Sequence, residues 1–402
     1  MWLGINGFGR IGKLLTRQAL TGTQLNVVAI NDPHMTTQQM GCALQNDSTH
    51  GRFEGEVTVS PDHKTLYIKM DDPSDSLVRS IACHHNELGN DIPWASVGVD
   101  YVVECSGKIN NDAQAQIHLR SASKLIMSHP PNDATDVFVP GVNTMKYVPH
   151  TKVLSCASCT TNALAPLLHV VDRVFGIEQA MFTTVHAVTP SNKMLDCAGQ
   201  KGVLDNIVPA TTGASRALVR VLPQLDGKVS GMAVRVPTSN VSMIDVNCTL
   251  TNKCTKEALG AAIAGAAQEH MKGIIDLCTH NTVNPFPTAS KDYCHDSRYV
   301  RACCAAEFCS HGFYLITCAC TYSPTPPPHA HTHRSCIVDL NSCLFSEDEK
   351  FVKLIAYYDN EWAYASRLLD LCVFVNEQDQ LHPDAPLMLP PVNKCPIMAP
   401  QA

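Results

Sequence analysis

The sequence predicts an α/β chain in two parts, an open parallel sheet over residues 1–157 and an α+β half with a mixed, largely antiparallel sheet after it. Three observations predict this. The chain opens with a strand, a glycine loop, a helix and a second strand; short apolar strands with small or polar ends follow; long alternating strands appear only beyond residue 159.

Leu3–Ile5 is a short apolar stretch leading into "NGFGRIGKLLTRQAL", whose later part has helical periodicity. "NVVAIND" is the next strand and ends in Asp32. "EGEVTVSPDHKTLYIKM" alternates as a hairpin or edge pair does. "VGVDYVVECSG", "SKLIMSHP" and "TKVLSCASC" supply further strands with polar groups at their ends, where an open parallel sheet places function. Past Cys159, "TTNALAPLLHVVDRVFG" predicts a helix, "QAMFTTVHAV" a strand and "TTGASRALVRVLPQLDG" a helix. "VSGMAVRVPTSNVSMIDVNCTL" predicts two long strands around a Pro-Thr-Ser-Asn turn, and "TKEALGAAIAGAAQEHM" a helix. "KFVKLIAYYDNEWAYASRLLDLCVFV" then gives strand, turn and helix.

At 402 residues the chain can bury more than one core, and 45% hydrophobic with 17% charged residues is a globular balance. A net charge of -7 gives no support to nucleic acid as the main partner. No apolar run reaches the roughly 18 residues of a membrane span, and "LGINGFG" begins too early to leave room for a signal peptide. Nineteen scattered cysteines, an odd number, argue for thiols and a cytoplasmic chain.

"GINGFGRIG" places Gly7, Gly9 and Gly12 in G-x-G-x-x-G spacing. The first permits the turn, the second lets a pyrophosphate approach the backbone, and the third lets helix and strand pack closely. Asp32 lies 20 residues after Gly12, suited to accept from adenosine ribose hydroxyls and to repel a 2′-phosphate, which favours NAD over NADP. Cys159 stands at the mouth of a helix, where amide dipoles and a nearby imidazolium favour thiolate at neutral pH. Cys156, three residues earlier at a strand end, is better read as packing than as half of a redox pair. His186 ends a strand, and structural packing is its default. Arg235 sits inside an alternating strand and must reach solvent, a carboxylate or a phosphate. Asn360 lies in the "YDNEW" turn, where a helix cap is its plain role.

Together, "INGFGRIG", "VAINDP", "DSTHG", "SCASCTTNALAPL", "TTVHAVT", "RVPTSNVS" and "YDNEWAYASR" resemble the phosphorylating glyceraldehyde-3-phosphate dehydrogenase family, in order, over about the first 298 residues and from Ser335 to about Val375. The resemblance implies a Rossmann-type cofactor domain (1–157), a catalytic domain (158–359), a helix returning to the cofactor domain (360–376), and a disordered tail (377–402). It implies oxidation of glyceraldehyde 3-phosphate with NAD and inorganic phosphate, through a thioester on Cys159 with His186 as base. Asn6, Gly7, Gly9, Arg10, Ile11, Gly12, Asp32, Pro33, Ser106, Gly107, Ser128 and Asn360 would bind the cofactor, Asn360 holding the nicotinamide carboxamide. Thr189, Ser191 and Arg235 resemble the substrate-phosphate site, and Ser158, Thr160, Thr212 and Gly213 the site of the attacking phosphate. A homotetramer is implied as well.

The chain departs from the family in four places. Its second active-site cysteine is Ala163, which the mechanism does not need, and an arginine of the adenine region has no match in "IACHHNELGNDIPW". Residues 196–209, "DCAGQKGVLDNIVP", form a loop about six residues shorter than the family's. A catalytically impaired relative that binds nucleotide or protein is therefore the alternative expectation. Tyr299–Arg334 is foreign to the pattern, with five cysteines, a proline run and His329, His331 and His333; its spacings match no regular zinc site, and no metal is expected. It reads as translated intron or a gene-model error, an expectation that a mature message containing it would refute.

Overall fold

The computed structural model describes residues 1–22, 24–87, 92–149, 151–279 and 332–382. In chain order the first part runs β1 (Trp2–Asn6), α1 (Arg10–Thr21), β2 (Asn26–Asn31), α2 (Thr37–Gln45), β3 (Asn46–Asp47), β4 (Gly51–Arg52), β5 (Gly55–Val59), β6 (Thr65–Met70), β7 (Val78–His84), β8 (Tyr101–Glu104), α3 (Asp112–Leu119), β9 (Lys124–Met127), β10 (Asp136–Val137) and β11 (Val153–Ser155). The second runs α4 (Cys159–Phe175), β12 (Ile177–His186), β13 (Val208–Ala210), α5 (Ala214–Val221), β14 (Val229–Arg235), β15 (Ser242–Leu250), α6 (Lys256–Gln268), β16 (Ile275–Cys278), β17 (Cys336–Asp339), β18 (Leu344–Phe345), β19 (Phe351–Tyr358) and α7 (Trp362–Leu381).

The first sheet has the order β10-β11-β9-β8-β1-β2-β7-β6-β5. Its pairings from β10 to β7 are parallel, and the alternating β5–β6 hairpin closes one edge in antiparallel fashion. Strands β8 and β9 are buried at every residue because both sheet faces are covered. One cover joins Leu14 and Leu15 of α1 to Leu368, Leu371 and Val375 of α7; the other gathers Trp94, Val99 and Ala115. Strand β1 pairs with β2 on one side and β8 on the other, so the chain switches direction across the sheet there. Such a switch opens a crevice at the carboxyl ends of the strands.

The second sheet has the order β13-β14-β12-β15-β19-β17-β16 and is antiparallel except for β12–β14 and β16–β17. The two strands around the Pro-Thr-Ser-Asn turn do not pair with each other: β14 and β15 flank β12. Along β15 burial alternates strictly, one face meeting a core that includes Leu164, Leu168, Leu218 and Ile263. The other face is open enough to leave Met181 and Met232 exposed.

Helix α7 returns to the first sheet and continues to Leu381, so residues 377–381 are helical rather than part of a disordered tail; residues 383–402 lie outside the described residues. Its far end has a specific anchor. Lys124 Nζ, 3% exposed, reaches Asp379 at 2.8 Å, and the hydroxyls of Tyr101 and Tyr147 each donate to that carboxylate at 2.7 Å. Tyr299–Arg334 also lies outside the described residues except for its last three. Two of these belong to the fold: His333 Nδ1 is 2.9 Å from Ser366 Oγ, and Arg334 pairs with Asp276 at 3.5 Å.

Candidate active site

The crevice at the β1/β8 switch is a cavity of about 360 Å³ lined by Asn6, Gly7, Gly9, Arg10, Ile11, Asp32, Pro33 and Ser106, all expected there. Its glycines are dictated by space. Gly7 has φ +92°, and a Cβ on it would lie 2.5 Å from the Ser106 nitrogen. A Cβ on Gly12 would lie 2.1 Å from the Gly7 carbonyl oxygen, whereas one on Gly9 would meet nothing within 4 Å. The middle glycine thus faces open space, as a closely approaching pyrophosphate requires. Asp32 is pinned by the amides of Phe8 (2.8 Å) and His34 (2.9 Å), and each carboxylate oxygen keeps a lone pair for a ribose hydroxyl. These residues fit a dinucleotide.

Beneath the crevice lies a polar network that sequence reasoning missed. Glu104, fully buried, accepts from Asn6 Nδ2 at 2.5 Å and from the Ser106 amide at 2.6 Å. Trp94 Nε1 donates to His118 Nδ1 at 3.0 Å, which leaves the His118 Nε2 hydrogen for Glu104 at 3.6 Å. At the rim, Arg10 donates to Glu361 and to Asp47, and Lys13 also pairs with Asp47. His50 Nε2 adds a contact to Glu361 at 2.9 Å. Lys108 also lines the cavity, with its Nζ 3.3 Å from His34 Nε2.

The second group of residues converges at the mouth of α4. Ser158 is the N-cap, accepting from the Thr161 amide at 3.1 Å, so Cys159 is the first helical residue. The approach to it is braced. Ala157 has φ +57°, its carbonyl accepts from Tyr364 Oη at 2.8 Å, and Asn162 Nδ2 donates to the carbonyls of Cys156 (2.6 Å) and Ser158 (3.0 Å). Cys156 is fully buried, and burial pushes its thiol up to about 12, as suits packing and not exchange chemistry.

Cys159 Sγ lies 3.4 Å from His186 Nε2. Adjacent strands in register carry His186 and Arg235 to the same sheet end. His186 Nδ1 lies 2.7 Å from the Ala187 carbonyl and 2.6 Å from Arg235 Nη1, which itself reaches that carbonyl at 3.0 Å. Nδ1 thus stands between an acceptor, the carbonyl, and a donor, the guanidinium; the tautomer that donates to the carbonyl is the one that presents a bare Nε2 to the thiol. Burial pushes the Cys159 thiol up to about 11, against the pull of Arg235, and drives His186 down to about 4 with help from Arg235. Both shifts oppose the ion pair that the helix mouth alone would favour. Desolvation of both groups outweighs the amide dipoles.

Other expected residues divide. Thr189 Oγ1 and Ser191 Oγ are 3.0 Å apart on the loop after His186. Thr212 and Gly213 open α5, where Gly213 is the N-cap. Thr160 does not join them through its hydroxyl, which faces inward to Tyr358 Oη at 2.9 Å. Ser128 follows β9 with its amide on the Glu104 carbonyl at 3.0 Å, and Gly107 follows Ser106 with φ +70°. Asn360, 4% exposed, sits between β19 and α7, its Oδ1 accepting from Ser242 Oγ at 2.9 Å. Among the described residues no His, Cys, Asp or Glu cluster could hold a metal ion.

Comparison with known proteins decides the family. Residues 1–112 match the glyceraldehyde 3-phosphate dehydrogenase NAD binding domain, and residues 158–302 match the C-terminal domain of the same family. The chain belongs to the glyceraldehyde-3-phosphate dehydrogenase family. It is 38% identical to a chloroplastic glyceraldehyde-3-phosphate dehydrogenase of Arabidopsis thaliana, over 92% of this chain and 76% of the relative. It is 36% identical to a cytosolic one of Chondrus crispus over 93% and 98%, and 35% identical to one of Schizosaccharomyces pombe over 94% and 98%. The glyceraldehyde-3-phosphate dehydrogenase fold, a Rossmann-type NAD-binding domain followed by a mixed-sheet catalytic domain, is the architecture described above.

Proposed function

We propose that Cys159 and His186 carry out the reaction of this family, the NAD-dependent oxidation of glyceraldehyde 3-phosphate to 1,3-bisphosphoglycerate. The chain is an NAD-dependent, phosphorylating oxidoreductase with an active-site cysteine. The observation that carries the assignment is the 3.4 Å contact between Cys159 Sγ and His186 Nε2 at a helix mouth. The imidazole takes the thiol proton as sulfur attacks the aldehyde, so charge develops as a mutually attracting pair instead of two separate buried ions. The same nitrogen then accepts the hydroxyl proton of the hemithioacetal when hydride leaves. NAD supplies the hydride acceptor; Gly7, Gly9, Gly12, Asp32 and Ser106 hold its dinucleotide, and Asn360 its carboxamide. The amide of Cys159 and the His186 ring stabilise the oxyanion.

Arg235, Thr189 and Ser191 hold the substrate phosphate, while Ser158, Thr212, Gly213 and the backbone of Thr160 receive the inorganic phosphate that cleaves the thioester. We place the domain boundary at 157/158. The chain works as a homotetramer in the cytoplasm, and the open sheet face bearing Met181 and Met232 supports burial against another copy. Among the described residues no helix is long and apolar enough to cross a membrane. NADH formation by purified protein with NAD, phosphate and glyceraldehyde 3-phosphate tests the assignment. Cys159→Ser is expected to lower turnover by about 10⁴-fold or more; retained phosphate-dependent turnover in that variant would overturn it.

A further inference from the structure

Ser242 is the first residue of β15 and 1% exposed, yet it carries no charge and touches no expected phosphate group. Its hydroxyl accepts from the Ala187 amide at 3.0 Å and stands 2.9 Å from Asn360 Oδ1. A serine hydroxyl has one hydrogen. The Ala187 amide directs its hydrogen at Oγ, the Tyr358 hydroxyl is also in hydrogen-bond reach of it, and Asn360 Oδ1, an acceptor only, takes the serine hydrogen. In this arrangement Nδ2 is directed away from Ser242. Nδ2 has no partner among the described residues.

The preceding residue shows that this placement is imposed on the backbone. Val241 has φ +66°, a left-handed conformation that a β-branched residue rarely adopts, and it lies at the point where the chain turns into β15. Ala187, whose amide Ser242 accepts, is also the residue whose carbonyl, in the next peptide, meets His186 Nδ1 at 2.7 Å. One hydroxyl therefore connects the residue beside the imidazole to the Asn360 side chain ahead of α7.

We propose that Ser242 is a positioning residue, which locks the Asn360 amide with its N–H groups toward the nicotinamide carboxamide and so fixes which ring face receives hydride. This rests on the reading of Asn360 given above. The test compares Ser242→Ala, Ser242→Thr and Asn360→Ala in the full chain. Affinities for NAD and for ADP-ribose, which lacks the nicotinamide, are measured by calorimetry; the face of transfer is read by NMR on NADH formed from aldehyde-deuterated substrate.

Ser242→Ala is expected to weaken NAD about five- to tenfold, as for loss of one directed hydrogen bond, with ADP-ribose affinity unchanged and deuterium appearing on both faces. Ser242→Thr, which keeps the hydroxyl, is expected to remain single-faced. A folded Ser242→Ala with wild-type NAD affinity and single-faced transfer would overturn the inference. Should the alanine variant not fold, Ser242→Cys fills the space with a poor hydrogen-bonding group, and the same two outcomes apply. If Asn360→Ala keeps NAD affinity and one face, the reading of Asn360 itself fails and takes the inference with it. Disturbance in Asn360→Ala but not in the Ser242 variants rejects the inference alone.

Discussion

The two sheets present their functional groups in opposite ways. At the β1/β8 switch the parallel sheet offers backbone: a glycine loop whose shape is set by Gly7 against Ser106 and Gly12 against Gly7. The mixed sheet offers side chains, with His186, Arg235 and Ser242 brought together from three adjacent strands and held by a few hydrogen bonds each. A backbone site tolerates little change in residue type but carries its own register. A side-chain site depends on each partner remaining in place.

The largest expected effect separates the two sites at the catalytic end. His186→Asn is expected to lower kcat by about 10²- to 10⁴-fold, as removal of a general base does, while NAD affinity stays unchanged. A parallel loss of NAD binding would mean that the two sites are not independent. Asp379→Ala leaves the Lys124 ammonium buried without its carboxylate and is expected to destabilise by about 3–5 kcal/mol in denaturant unfolding. Gly7→Ala is the converse of the His186 change. A side chain at φ +92° against Ser106 is expected to remove about 1–3 kcal/mol of stability and to weaken NAD, with the alkylation rate of Cys159 unaltered.

The smallest effect is a change in pH dependence. Burial opposes ionisation of Glu361, but hydrogen bonds from His50 and Arg10 outweigh it and hold the carboxyl below its ordinary range. Its contribution is therefore fully present above the unfolded value and is lost as pH falls through the folded one. Glu361→Gln is expected to flatten the acid limb of stability below about pH 4.5 relative to wild type. An unchanged acid limb would show that the rim of the cofactor cleft gains nothing from this carboxylate.

Legibility in the sequence followed the same division. The glycine spacing and Asp32 announce the first site because steric limits leave few residue choices there. His186, one of 18 histidines, and Asn360 in a polar turn acquire meaning only from the resemblance and then from their neighbours. Arg235 gave a signal, a cation in an alternating strand, and the same logic applied to Lys124 in "SKLIM" would have anticipated a buried partner such as Asp379. Ser242 and Tyr358 gave none, since a serine after Val241 and a tyrosine in an apolar strand fit ordinary strand pattern. The helix dipole that favours a Cys159 thiolate is visible in sequence, whereas the desolvation that opposes it depends on the finished core.

Helix α7 has one consequence for how the protein is made. Together with Glu361, the residue just ahead of it, it supplies the carboxylate for Arg10, the counter-ion for Lys124 and the hydroxyl that braces Ala157 two positions ahead of the nucleophile. All three partners are translated long before it. A nascent chain must therefore carry an incomplete cofactor half and an unbraced thiol until α7 leaves the ribosome. Stalled chains lacking α7 are expected to be cut readily by protease and to bind NAD poorly. Translation thus sets the order of events: the reactive cysteine is braced only once α7 has emerged, about 200 residues after it.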